Sequence, residues 1–159
     1  MKIVEIDNNS IELLLSIVKS YQLSDEQLQY STIQLTKELQ EIGDNRFIYI
    51  ATSDDKSVAM IQLVLKNADN DPELANGKEI CHLHNLQVIK NYQNQGIGRM
   101  MMDYVETQAK QLEKKIITLG VDGDNARAIK LYKNRSYITF KQEPGRTVDE
   151  VLYYMRKDL

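Results

Sequence analysis

Cysteine is all but absent from this chain: Cys81 stands alone, so no disulfide can form within it. Long apolar runs are missing as well. No segment approaches the roughly 20 apolar residues that cross a bilayer, and the start MKIVEIDNNS lacks the continuous apolar stretch of a secretory signal. A cytoplasmic protein with no membrane partner is the expectation. A surplus of positive charge is the third absence: 20 lysines and arginines stand against 23 aspartates and glutamates, for a net charge of -3. The two signs interleave, so no basic stripe is offered to a phosphate backbone and nucleic acid is not expected as a partner.

What is present is a globular balance, 42% apolar and 27% charged residues over 159. That length buries one core and leaves little room for a second, so residues 1–159 are expected to form one domain. Residues 2 to 6 are β-rich, and Asp7 to Ser10 supply turn and cap residues before Ile11, Leu14, Leu15 and Val18 recur at helical spacing. Ser24 with Glu26 and Gln27 predicts a capped start to a second helix carrying Leu28, Ile33, Leu35, Leu39 and Ile42, with Gly43 as its stop. Phe47 to Ala51 and Ser57 to Lys66 alternate as strands, and the polar TSDDK between them predicts an antiparallel hairpin. NADNDPELANG is then the longest loop.

Glu79 to Val88 reads as a strand, and Ile97, Met101, Tyr104, Val105, Ala109 and Leu112 keep a 3.6-residue period that marks the clearest helix. Lys115 to Val121 predicts a strand, Asp124 to Arg135 a short helix, and the tail two β-like pieces around Glu143, Pro144 and Gly145. The order β-α-α-β-β-β-α-β-α-β-β makes this a mixed α/β protein, without repeats or linkers.

The informative segment runs from Leu86 to Arg99, passing from strand through a turn into a helix. Gly96 and Gly98 flank one residue, so the backbone can approach a ligand without Cβ obstruction. The helix start that follows brings unpaired N–H groups and the positive end of the macrodipole, which together suit a pyrophosphate. A tight turn chosen only for its backbone geometry has the same appearance. A dinucleotide-binding turn is the sharper rival, supported by Asp122 at the end of the next strand. It takes second place, because Met101 stands where its third glycine should be.

Gln93-x-x-Gly96-x-Gly98 after a strand resembles the Q/RxxGxG/A signature of the GNAT acetyltransferases, and Asn125-Ala126-Arg127-Ala128-Ile129-Lys130-Leu131-Tyr132-Lys133 resembles the family's NxxAxxLYxK-like helix. The likeness spans residues 47 to 140 by motif and topology. It implies a single-domain GNAT fold with a central sheet of six to seven strands, splayed between the fourth and the fifth. It also implies acetyl-CoA as co-substrate, with no metal. Leu86, Gln87 and Val88 would give backbone groups to the pantetheine arm, and Gln93, Asn94, Gln95, Gly96, Ile97, Gly98 and Arg99 would hold the pyrophosphate. Asn125 and Ala128 would face the pantetheine, Tyr132 would protonate the departing thiolate, and two copies would pair as a homodimer. The activity implied is transfer of acetyl to a primary amine; a non-catalytic acyl-CoA sensor of the same fold is the alternative.

An amine must shed a proton to attack, so a base is required. His82 and His84 alternate on the strand leading to Val88 and share a face, with His84, nearer that end, ranked first and Glu79 behind both. Cys81 points the other way and no third ligand completes a metal set with the histidines. One departure from the resemblance is Ser136, where a glycine usually ends the helix.

Overall fold

The two periodicities read from the sequence become seven strands and four helices in the expected order. The computed structural model describes residues 1–159. They form β1 (Lys2–Glu5), α1 (Ile11–Lys19), α2 (Asp25–Gln40), β2 (Arg46–Ser53), β3 (Lys56–Val64) and β4 (Ile80–Val88). Then come α3 (Ile97–Gln111), β5 (Ile116–Asp122), α4 (Ala126–Lys133), β6 (Ile138–Pro144) and β7 (Val151–Asp158). The strands make one seven-stranded sheet in the order β1-β2-β3-β4-β5-β7-β6. The chain divides into two compact units, Met1–Val64 with Asn85–Val105, and Leu65–His84 with Glu106–Leu159.

In the first unit the hairpin β2–β3 is antiparallel, and its strands run on into the polar TSDDK until only Asp54 and Asp55 turn the chain. Both aspartates have positive φ, 48° and 60°, as a two-residue turn matched to strand twist requires. Ser24 caps α2 in the predicted way: its Oγ accepts from the Gln27 N–H, and Gln27 Oε1 accepts from the Ser24 N–H. The helix ends at Gln40, before the predicted stop at Gly43. Leu14, Ile17 and Val18 of α1 and Leu35 and Leu39 of α2 pack with Ile48, Ile50 and Met60 of the hairpin. Each such side chain gains roughly 1.5–3 kcal/mol from burial. Ile33 lies off the Leu28–Leu35–Leu39 face and is exposed. A polar chain crosses the same region, buried at Arg46 and Gln62: Arg46 donates to Glu41 and to Gln62, whose amide nitrogen donates to Glu38.

In the second unit the parallel pair β4–β5 runs in register from Ile80 opposite Ile116 to Leu83 opposite Leu119. The pairing stops there, although β4 continues to Val88 and β5 to Asp122. β7 lies antiparallel to both β5 and β6, inserted between them. Gly120 is the β5 residue against which the Tyr154 ring packs, with only 3.3 Å left for a Cβ. Glu106 of α3 is a buried carboxylate that receives four bonds: Arg135 Nε at 3.2 Å and Tyr137 Oη at 3.1 Å on one oxygen, Lys157 Nζ at 2.7 Å and a second Arg135 nitrogen at 3.1 Å on the other. Charge and lone pairs are both satisfied, which buried carboxylates require.

Candidate active site

The turn after β4 belongs to the first unit and is built by its own side chains. β4 ends at Val88, a single turn of tight helix follows at Lys90–Tyr92, and Asn94 and Gly96 then take positive φ, 62° and 82°. At Gly96 no side chain would be tolerated cheaply, because the left-handed backbone itself strains L-residues. The Gly96 carbonyl accepts from the Met100 N–H at 3.0 Å, so α3 opens immediately after it. By helix geometry the amides of Ile97, Gly98 and Arg99 have no carbonyl within the helix to bond. They form the positive end of α3, worth about half a unit charge.

The glutamines of the motif hold the turn rather than project from it. Gln93 Nε2 donates to the Val88 carbonyl at 2.9 Å, and Gln95 Nε2 donates to the Asn91 carbonyl at 3.0 Å. The Val88 carbonyl also accepts from the Tyr21 hydroxyl at 2.8 Å, from the chain between α1 and α2. The Ile89 N–H donates to the Val58 carbonyl at 2.9 Å. Leu86, Gln87 and Val88 are half-buried, and just before them Asn85 takes φ 56°, a left-handed residue inside the strand that resets its alternation. Arg99 and Asn94 are exposed, while Ile97 is buried.

The other expected residues lie in the second unit. Asn125 is not inside α4, as its sequence pattern suggests, but caps it: Oδ1 accepts from the Ala128 N–H at 3.1 Å. That uses the carbonyl end of the amide, so Nδ2 is the end left as a donor for a ligand. Helix α4 is shorter than expected at both ends, Ala126–Lys133 against Asp124 to Arg135. Its ending settles the question raised by Ser136, which takes φ 70° in the place of a glycine. The Ser136 and Tyr137 amides close on the Lys133 and Tyr132 carbonyls at 3.0 and 3.1 Å.

Tyr132 is buried, its ring tilted 57° against Tyr137 at 5.9 Å. The Tyr137 hydroxyl is committed to Glu106, which leaves Tyr132 as the uncommitted hydroxyl of the pair. Burial pushes the Tyr132 phenol up to about 12. The same cause pushes the Cys81 thiol up to about 12, and the thiol sits 3.5 Å from the Ile116 carbonyl with no exposure. It is a small apolar core residue in its behaviour.

His82 and His84 share a face of β4, ring centroids 6.4 Å apart and 30° between planes. Their surroundings differ: His82 is 5% exposed and His84 is open to solvent. His82 Nδ1 lies 2.8 Å from Thr118 Oγ1 on β5. Neither Thr118 nor the chain of bonds beyond it was legible beforehand, since Leu74, Cys81 and Thr118 are brought together only by the loop and the parallel pair. Glu79 stays exposed at the foot of β4, 3.8 Å from Lys115. No group of three or more histidine, cysteine, aspartate or glutamate side chains is arranged to hold a metal ion.

Known proteins share this fold and part of this sequence. An uncharacterized N-acetyltransferase in the pepI 3' region of Lactobacillus delbrueckii subsp. lactis is 25% identical over 96 residues, 60% of this chain and 54% of that protein. The chain thus spans about half the length of the curated relative it matches. The ribosomal-protein-S18-alanine N-acetyltransferase of Escherichia coli superposes with a TM-score of 0.78 at 17% identity, over 99% of this chain and 92% of the other. The PaiA N-acetyltransferase of Thermoplasma acidophilum, solved in complex with coenzyme A, superposes with a TM-score of 0.72 at 16% identity over the whole of both chains. At these identities the likeness is one of fold. The sequence match is broader: the model of the acetyltransferase (GNAT) family covers residues 12–137, from α1 through the Gly96 turn to Tyr132 and beyond, and the chain belongs to that family.

Proposed function

We propose that residues 1–159 form a single acyltransferase domain that moves the acetyl group of acetyl-CoA directly to a primary amine of a small molecule, a peptide N-terminus or a lysine. The observation that carries this reading is the Gly96 turn. Its left-handed glycine and the bond from Met100 to the Gly96 carbonyl leave three successive amides at the head of α3 without helical partners. These amides bind the diphosphate of the co-substrate, and Arg99 adds charge from the exposed rim of the same turn. Backbone groups of Leu86, Gln87 and Val88 hold the pantetheine arm, and Asn125 Nδ2 donates to it while Oδ1 caps α4.

Acetyl transfer needs an unprotonated amine, a donor for the oxyanion and a proton for the thiolate. The nitrogen lone pair attacks the thioester carbonyl, a strand N–H near Val88 stabilises the oxyanion, and the C–S bond breaks with its electron pair going to sulfur. Tyr132 gives its proton to that sulfur. The proton lost from nitrogen as the amide forms restores the phenol. A phenol near 12 is a poor acid for a thiolate in water, whose thiol titrates at about 8.5. Burial that raises a phenol raises a thiol as well, so a dry setting narrows the gap between the two groups.

The test is release of free CoA from acetyl-CoA with spermidine, kanamycin, an alanine-starting peptide and a lysine peptide as acceptors. Turnover on at least one amine, with Tyr132→Phe lowering kcat by about a hundredfold, is expected. Binding of acetyl-CoA with no turnover on any of them would make the domain an acyl-CoA sensor instead.

A further inference from the structure

We propose that Tyr21 is a positioning residue: together with Gln93 it closes the Val88 carbonyl to the co-substrate, so that the pantetheine arm of acetyl-CoA donates to the Leu86 carbonyl and lies along β4 in one register. The inference rests on the acetyltransferase reading and adds to it the group that sets how far along the strand the thioester reaches.

A trans peptide unit points its C=O and its N–H to opposite sides, and this chain has no cis bond. The Ile89 N–H donates to the Val58 carbonyl of β3 at 2.9 Å, so the Val88 carbonyl of the same unit points away from β3. Backbone groups of a strand alternate with a period of two. The Leu86 carbonyl and the Val88 N–H therefore share that outer edge, while both backbone groups of Gln87 face β3. Pairing of β4 with β5 extends only to Leu83, so the edge carries no strand partner from Leu86 to Val88.

An amide donor arriving at this edge meets two carbonyls, Leu86 and Val88, one two-residue step or about 7 Å apart. Their occupancy differs. The Val88 oxygen accepts from Tyr21 Oη at 2.8 Å and from Gln93 Nε2 at 2.9 Å, and a carbonyl has two lone pairs, so a third donor finds none. Tyr21 is held at that oxygen by its own backbone. Its N–H donates to the Val18 carbonyl at 3.1 Å, and Gln22, at a φ of 53°, turns the chain so that Leu23 packs against the core of the first unit.

The pantetheine amide nearest the thioester has one N–H. Paired with Leu86, it leaves the thioester oxygen beside the Val88 N–H, the donor that the transfer needs. Paired with Val88, it would carry the thioester about 7 Å further, past the last residue of β4. A buried donor with no acceptor disfavours that second register by about tenfold or more.

Two measurements on the full chain test this. In carbon-13 spectra of the backbone carbonyls, titrated with CoA, the Leu86 signal is expected to move and the Val88 signal to stay, because both bonds to Val88 persist. In Tyr21→Ala the Val88 signal should move as well. In CoA release with the best acceptor of the panel above, Tyr21→Ala offers the arm two similar acceptors, one of them idle. Its kcat and its KM for acetyl-CoA should then fall together, by a common factor of about two, with kcat/KM unchanged. A kcat that falls while KM stays or rises is the mark of a merely structural residue and overturns the inference, as does a Tyr21→Ala chain with unaltered kinetics. A native chain in which the Val88 carbonyl moves as far as that of Leu86, or in which the Gly98 amide responds to CoA and the Leu86 carbonyl does not, overturns the register alone. A native chain in which CoA moves neither the Gly98 amide nor any carbonyl from Leu86 to Val88 overturns the acetyltransferase reading and the register with it.

Discussion

The Tyr21 hydroxyl donates to the Val88 carbonyl at 2.8 Å, tying the chain between α1 and α2 to the last residue of β4. Gln93 donates to the same oxygen at 2.9 Å, so both lone pairs of that carbonyl are used. A strand end whose outgoing carbonyl is held twice keeps its direction, and the Gly96 turn follows directly. Tyr21→Phe removes one bond at an exposed position and should cost below about 1 kcal/mol; adding Gln93→Leu removes both and should cost about 2 kcal/mol. If β4 aims the thioester as proposed, the double variant should also lose kcat well beyond its loss of stability. Urea unfolding beside CoA release measures the two effects separately.

Ser136 occupies a left-handed φ of 70° at the end of α4, a conformation that costs an L-residue roughly 1–2 kcal/mol. Glycine takes it without strain but loses more freedom on folding. The balance favours Ser136→Gly by about 1 kcal/mol, a rise in Tm of some 2–4 °C for a chain of this size. Scanning calorimetry checks it. Activity should be unaltered, because the Ser136 and Tyr137 amides would still close on the Lys133 and Tyr132 carbonyls.

Glu106 gathers Arg135, Tyr137 and Lys157 around one buried carboxylate. Glu106→Gln leaves two cations facing each other across a neutral amide in a region where Arg135 is 13% and Lys157 22% exposed. Removing one member of such a network costs about 3 kcal/mol. Because Arg135 and Tyr137 follow α4 directly, the variant should also loosen the packing of Tyr132 against Tyr137. Chemical denaturation and the near-ultraviolet tyrosine signal report these in turn.

Most of the local architecture was legible, because it depends on local chemistry. The 3.6-residue spacing of Met101, Val105 and Ala109 marks α3, and Ser24 with Gln27 marks the start of α2. The Gly96 turn was legible for the same reason: only glycine meets its backbone demand at no cost. What stayed hidden depends on partners distant in sequence. Glu106 stands on the apolar stripe of α3, one turn after Met102, and that misplaced charge was the available signal of a buried network. Its donors, 29 to 51 residues further on, could not be named from spacing. The insertion of β7 between β5 and β6 is likewise a property of the sheet, not of any segment. The difference between a buried His82 and an exposed His84 was hidden too, since alternation puts both on one face and the Thr118 contact of His82 depends on the neighbouring strand.

Alkaline stability follows from the groups that burial holds protonated. Tyr132 is raised from 10.0 to about 12 and Cys81 from 9.0 to about 12, in both cases first by burial. In the unfolded chain each ionises at its ordinary value, while the folded chain keeps its proton until near 12. Stability is therefore fully present below pH 9, begins to fall as the unfolded thiol and then the unfolded phenol ionise, and is lost by about pH 12. Tyr132 alone accounts for a loss on the order of 3 kcal/mol across that interval. Tyr132→Phe should then unfold at nearly the same urea concentration as the native chain at pH 8, apart from its small packing cost, and at a higher one at pH 11. Cys81→Ala should show the same crossover beginning about one pH unit earlier. A native chain and a Tyr132→Phe chain whose urea midpoints fall in parallel from pH 8 to pH 11 would mean that the phenol ionises in the fold at its ordinary value and that burial does not hold its proton.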